Sequence, residues 1–186
     1  MNEQPTLETE RLVLRPLTQQ DAPAIQRLAG RRETADTTIS IPHPYSEQQA
    51  REWIAGLAEI FTKGKFVVFG MQLKSGGNLV GTAGLRDIET EHSLAELGFW
   101  VAVEAWGHGY ATETARAVLA FGFEQLALNR IYAHHMVRNP ASGRVLAKIG
   151  MKHEGVLRQR VRKWGKFEDV VAMALLREEW AQTLKR

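Results

Sequence analysis

Two periods alternate along this chain. Apolar residues at Ala50, Trp53, Ile54, Leu57, Ile60 and Phe61 fall on one helical face, and Ser46 with Gln49 forms a capping-box pattern just before them. Thr18 and Asp21 repeat that pattern ahead of Ala22, Ile25, Leu28 and Ala29. A third stripe, Ala115, Val118, Leu119, Gly122 and Leu126, has the spacing of a helix packed on a sheet and opens near Thr112. The fourth, Val145, Leu146 and Ile149, is preceded by Asn139 as N-cap and Pro140 in the first turn, and Gly150 stops it.

Between the stripes lie runs that read as strands. Residues 11–17 form a short one stopped at Pro16. Residues 66–73 and 78–88 are joined by a glycine-bearing hairpin turn, and residues 92–103 follow after a polar turn, making an antiparallel meander. Residues 130–137, 152–161 and 170–176 supply the rest. A long helix separates 92–103 from 130–137, which suits a parallel pair joined by a right-handed crossover. Residues 31–45, with Pro42 and Pro44 and no period, read as a long loop that could wall a substrate site or merely connect two helices. The expected fold is mixed α/β, in the order β-α-α-β-β-β-α-β-α-β-β: about seven strands in one sheet, with about four helices on its faces.

Composition narrows the function. A length of 186 residues with 44% hydrophobic content fits one domain over residues 1–186. A net charge of +3, from 24 basic and 21 acidic residues, permits an anionic cofactor without indicating a nucleic-acid binder. The absence of cysteine excludes disulfides, thiolate metal sites and a thioester on the enzyme. The polar N-terminus lacks a signal pattern and no apolar run is long enough to span a membrane, so a cytoplasmic protein without membrane contact is expected. The six histidines show no metal spacing; His134 and His135 are adjacent in a strand and point to opposite faces, so no metal site is expected. Arg158, Arg160, Arg162, Lys163 and Lys166 read as cations guarding an edge strand in preference to a nucleic-acid patch. Trp164 among them could close an acceptor site or serve a homodimer contact.

The chemistry centres on residues 98–116, where an apolar strand passes through a turn containing Gly107 and Gly109 into the third helix. Such a junction aims unpaired N–H groups and partial positive charge at whatever lies in front of it, which suits phosphate oxygens. A Gly-x-Gly turn by itself fits a plain loop equally well. Thr112 stands where a dinucleotide fingerprint needs its third glycine, and there is no P-loop run. Trp106-Gly107-His108-Gly109-Tyr110-Ala111 does resemble the pyrophosphate-binding signature of the GNAT N-acetyltransferases. Trp106 replaces the usual Gln or Arg, and Trp-Gly-x-Gly-Tyr-Ala-Thr-Glu is similar to the RimJ/RimL-like branch that acetylates ribosomal-protein N-termini. Asn139-Pro140-Ala141-Ser142, followed by Gly150-Met151, resembles that branch's second motif, with Met151 in place of Phe.

The resemblance implies the GNAT fold and direct transfer of an acetyl group from acetyl-CoA to an amine, with no metal. Pyrophosphate would rest on Trp106, Gly107, His108, Gly109, Tyr110, Ala111 and Thr112, with pantetheine along Trp100, Val101 and Val103. Asn139, Ser142 and Arg144 would complete the cofactor site, and Ser142 would protonate the departing thiolate. A bulge near Trp100 and Val101 would aim an N–H at the oxyanion. Glu96, between apolar neighbours, is the sharpest candidate base, with a raised pKa expected from burial; a structural glutamate held by a cross-strand arginine is the alternative. Water could also carry the proton. The α-amine of a protein or peptide is the favoured acceptor, with a small-molecule amine (a polyamine, an amino-acid-like metabolite or an antibiotic) as the alternative, and a non-catalytic acyl-CoA-binding module as the alternative of another class.

Overall fold

Both capping boxes form, but only one starts an α-helix directly. The Ser46 N–H donates to Gln49 Oε1 at 2.9 Å and the Gln49 N–H to Ser46 Oγ at 3.2 Å. At the other box, the Thr18 N–H donates to Asp21 at 2.7 Å, and a 3-10 turn, Gln19–Asp21, precedes the helix.

The computed structural model describes residues 3–183. Its elements are β1 (Leu7–Glu8), β2 (Leu12–Arg15), α1 (Ala22–Ala29), α2 (Arg32–Thr37), α3 (Glu47–Thr62), β3 (Val67–Leu73), β4 (Leu79–Glu89), β5 (Leu94–Val101), α4 (Tyr110–Ala120), β6 (Arg130–Met136), α5 (Pro140–Lys148), β7 (Lys152–Lys163), β8 (Lys166–Leu176) and α6 (Arg177–Thr183). The strands make one sheet in the order β1-β2-β3-β4-β5-β6-β8-β7, with β5–β6 parallel and the other pairs antiparallel. The expected architecture is present with one more strand and two more helices, because β1, α2 and α6 are too short to carry a period. The loop expected over 31–45 thus begins with a helix, α2, whose Thr34 and Ala35 are fully buried.

Alternation along β5 divides the molecule. Ala95, Leu97 and Val101 face the main core with Ala115, Val118 and Leu119 of α4 and Leu146 of α5. Trp100 faces the other way, toward a smaller cluster of Ala22, Ile25, Ala29, Ala50 and Ile54 from α1 and α3. Each helix pair therefore covers one face of the sheet, as burial of both faces demands. After α4 the chain makes a π-helical turn, Phe121–Gln125. There Gly122 comes so close to the sheet that a Cβ would lie 2.6 Å from Ile131 Cδ1.

The β5–β6 pair shapes the site. Its ladder joins Leu94, Ala95 and Glu96 to Arg130, Ile131 and Tyr132. Both strands continue, to Val101 and Met136, without pairing again. The sheet therefore opens beyond Glu96. No bulge interrupts β5 at Trp100 and Val101, which pair in register with Thr82 and Gly81. The expected N–H donor is thus not aimed by a bulge; the strands simply diverge. At the far edge β7 bulges between Leu157 and Val161, and Arg158, Arg160, Arg162 and Lys166 are exposed, in keeping with cations that discourage edge pairing, whereas Lys163 departs from that expectation: it is buried and donates from Nζ to the Ile41 carbonyl at 2.7 Å.

Candidate active site

The glycine turn is held from behind by the N-terminal strand region. Gly107 and Gly109 adopt φ of 79° and 82°, values that favour glycine. Gly109 caps α4, which starts at Tyr110, two residues earlier than its apolar stripe suggests. Glu113 in the first turn accepts from Thr9 Oγ1 at 2.6 Å, the Arg11 N–H at 2.8 Å and Arg11 Nε at 2.7 Å. Arg11 also donates to the His108 carbonyl at 2.9 Å and lies 4.7 Å over the Tyr110 ring. Burial works to raise the Glu113 pKa, but these hydrogen bonds outweigh it and hold the carboxyl below its ordinary value. Because the first bond of α4 runs from the Glu113 N–H to the Gly109 carbonyl, the N–H groups of Tyr110, Ala111 and Thr112 have no helical partner.

Those groups open into a cavity of about 340 Å³ between the turn and α5. Among the expected cofactor residues, Trp100, Val101, Trp106, Gly107, Gly109, Tyr110, Ala111, Thr112, Asn139, Ser142 and Arg144 line it. Val103 and His108 do not. Val103 lies in a 3-10 turn, Val103–Ala105, after the strand has ended. His108 turns back, with Nδ1 2.9 Å from the Trp106 carbonyl and its ring stacked on Tyr110. Trp106 braces the same turn by donating from Nε1 to the Val101 carbonyl at 2.7 Å. Lys148, one helical turn beyond Arg144, adds a second cation that the motif did not indicate. Unpaired N–H groups, a helix N-terminus and two cations suit a pyrophosphate-bearing cofactor.

A second cavity, of about 520 Å³, lies toward α1 and α3. The two share Thr37, Thr38, Phe99, Trp100 and Ser142 as walls, so they meet where β5 and β6 part. Asn139 is tied down at both ends of its amide beside this meeting point. Its Oδ1 caps α5 by accepting from the Ser142 N–H at 3.2 Å, and its Nδ2 donates to the Thr37 carbonyl at 3.0 Å. Thr37 and Thr38 belong to the stretch 31–45, whose lack of period was the only hint of a site there.

Glu96 lies in the second cavity's wall, 7% exposed. Arg86, its register partner on β4, grips the carboxylate at 2.7 and 3.1 Å. His134 Nδ1 is 3.1 Å from Oε1. The expected upward shift is therefore reversed: burial does push the pKa up, but the bonds from His134 and Arg86 win and hold the group below the ordinary carboxylate value. His134 and His135 do diverge: His135 packs against Gly143, where a Cβ would lie 2.8 Å from Nε2. Sequence reasoning does not single out His134 for catalysis, because its nearness to Glu96 depends on the pairing of strands whose partners lie 36 residues apart.

Residues 11–152 match the family model described as Acetyltransferase (GNAT) domain, and the chain belongs to that family of acetyl-CoA-dependent acetyltransferases. YoaA of Bacillus subtilis (strain 168), an uncharacterized N-acetyltransferase, is 36% identical over 155 residues, 83% of this chain and 87% of its own. YdaF of the same strain, provisionally designated a ribosomal N-acetyltransferase, is 35% identical over 104 residues, 56% of this chain and 57% of its own, which supports the RimJ/RimL-like branch. Among solved structures, the Vibrio cholerae spermidine N-acetyltransferase in complex with CoA and spermine superposes with a TM-score of 0.80 at 26% identity, over 91% of this chain and 98% of that one.

Proposed function

We propose that this acetyltransferase acts on the α-amine of a peptide or protein whose first side chain is apolar. The observation that carries this reading is the make-up of the second cavity. Ile25, Ile41, Tyr45, Trp53, Phe66 and Trp100 line it, and its wall includes only two carboxylates, Glu52 and Glu96. Glu96 is already matched by Arg86 and His134. A polyamine carries several separated cations, and one unmatched carboxylate offers them little. An apolar and aromatic wall favours a substrate that brings a single amine on an apolar body.

In this reading the acetyl-CoA thioester supplies an activated carbonyl, held where the two cavities meet. The N–H groups of Tyr110, Ala111 and Thr112 with Arg144 and Lys148 hold the phosphates, and the walls contributed by Val101 and Trp106 flank the pantetheine. Ser142, at the junction, protonates the departing thiolate, and Glu96 serves deprotonation of the amine.

Thiol release from acetyl-CoA tests the acceptor class. Peptides with a free N-terminus and a leucine or phenylalanine first residue are expected to turn over at least about tenfold faster, by kcat/KM, than spermidine, a difference of about 1.4 kcal/mol. Spermidine as the better substrate would overturn the peptide assignment and leave the transferase standing.

A further inference from the structure

We infer that His134 is the group that takes the proton from the incoming ammonium, and that Glu96 acts through it as a positioning residue. The inference rests on the acyl-transfer reading above and assigns the base within it.

β6 leaves β5 immediately after Tyr132, so His134, the next residue on that face, stands beside the opening. Its ring forms part of the acceptor cavity's wall, and its side chain is 20% exposed. Nδ1 faces Glu96 Oε1 at 3.1 Å. A carboxylate gripped by a guanidinium is ionised and can only accept, so the proton of this contact sits on Nδ1. The lone pair is then on Nε2, which makes no hydrogen bond among the described residues. An imidazole oriented through one nitrogen by a buried carboxylate, with the other nitrogen bare in a substrate cavity, is the arrangement of a general base. Glu96 is poorly suited to that work itself, since both its oxygens are engaged by cationic or N–H partners. The charged and titratable groups around His134 are Glu96 on β5, Arg86 behind it on β4, Glu154 of β7 paired with Arg130, Tyr132 at a ring distance of 5.5 Å, and Glu52 of α3 on the cavity wall.

The ammonium gives one proton to Nε2 and becomes a neutral amine. Its nitrogen then bonds to the acetyl carbonyl carbon, the carbon–sulfur bond breaks, and a second proton passes from nitrogen to the thiolate by way of Ser142. The imidazolium returns the first proton to water, so the turnover releases amide, CoA thiol and one proton.

The test uses the full chain, acetyl-CoA and a short peptide with a free leucine N-terminus. His134→Gln is expected to lower kcat about 10²-fold and to abolish the acid limb of the pH profile. Calorimetric affinity for acetyl-CoA should stay at the wild-type value, which also reports folding. Glu96→Gln removes the charge that orients the imidazole, so kcat should fall about tenfold or more with KM and acetyl-CoA affinity unchanged, whereas a merely structural Glu96 would leave kcat in place. Should that variant misfold, nitrogen-15 spectra of the wild-type imidazole still decide the arrangement: a proton on Nδ1 with Nε2 bare supports it, and a proton on Nε2 at neutral pH overturns it. Wild-type turnover in His134→Gln overturns the assignment alone. Absence of thiol release with the peptide from wild-type protein that binds acetyl-CoA overturns the acceptor class alone, and the nitrogen-15 spectra then decide the His134 assignment by themselves.

Discussion

The two cavities that meet at Ser142 are built in different ways. The coenzyme side draws mainly on two short stretches, 99–112 and 139–148, with Thr37 and Thr38 at the junction, and presents mainly backbone: N–H groups at a helix start and two glycines at positive φ. The acceptor side collects side chains from α1, the 37–45 stretch, α3 and strands β3 to β6. Backbone recognition of phosphate needs little from the side chains, so such a motif can persist while its surroundings change. Selection of an amine depends on which side chains the fold brings together from distant parts of the chain.

If this division holds, substitutions should separate cleanly by side. The largest effect belongs to the junction: Ser142→Ala should lower kcat about 10²-fold, with acetyl-CoA affinity unchanged by calorimetry. Wild-type turnover in that variant would remove Ser142 from the proton transfers. On the coenzyme side, Gly109→Val forces a β-branched residue into φ near 82° and narrows the approach to the N–H groups. The turn should relax out of that φ in the free protein, and restoring it on binding, at a cost of about 2 kcal/mol, predicts roughly 30-fold weaker acetyl-CoA binding. On the acceptor side, Gly98 lines the cavity and a Cβ there would meet no atom within 4 Å. Gly98→Leu should therefore fill the acceptor space and leave the fold intact. A fall of about tenfold in kcat/KM for the peptide, about 1.4 kcal/mol, with unchanged acetyl-CoA affinity, is the expected result; weaker coenzyme binding would break the division.

Smaller effects concern the supports. Asn139→Ala removes the α5 cap and the tie to Thr37, and should cost about 1 kcal/mol in denaturant unfolding. Glu113 has a folded pKa below its ordinary value, so its contribution is complete above the ordinary carboxylate range and fades as pH falls through the folded value. Glu113→Gln should therefore lower thermal stability at neutral and alkaline pH, with the difference from wild type closing as pH falls.

Much of the coenzyme side was legible in the chain because its signals are local. Gly107 and Gly109 next to a helical stripe, and Asn139-Pro140 before another, each report on their own neighbourhood, and both stretches line the cavity. Val103 and His108 departed from expectation for equally local reasons, an early strand end and a side chain turned back on its own loop. Glu96 was legible as a buried carboxylate, yet the direction of its pKa was not. Burial can be judged from apolar neighbours in sequence, whereas Arg86 and His134 reach it only across strand pairs.

Periodicity and caps were enough to place an α/β domain with a helix start behind a glycine turn, since those features act within a few residues, and the likeness of two motifs to a known family supplied the transferase class. Only the tertiary structure decided where the sheet opens, which side chains wall the acceptor, and that His134 stands on Glu96. Those depend on strand register and on the divergence of β5 from β6, and such long-range pairing is set by the packing of the whole sheet between its helices.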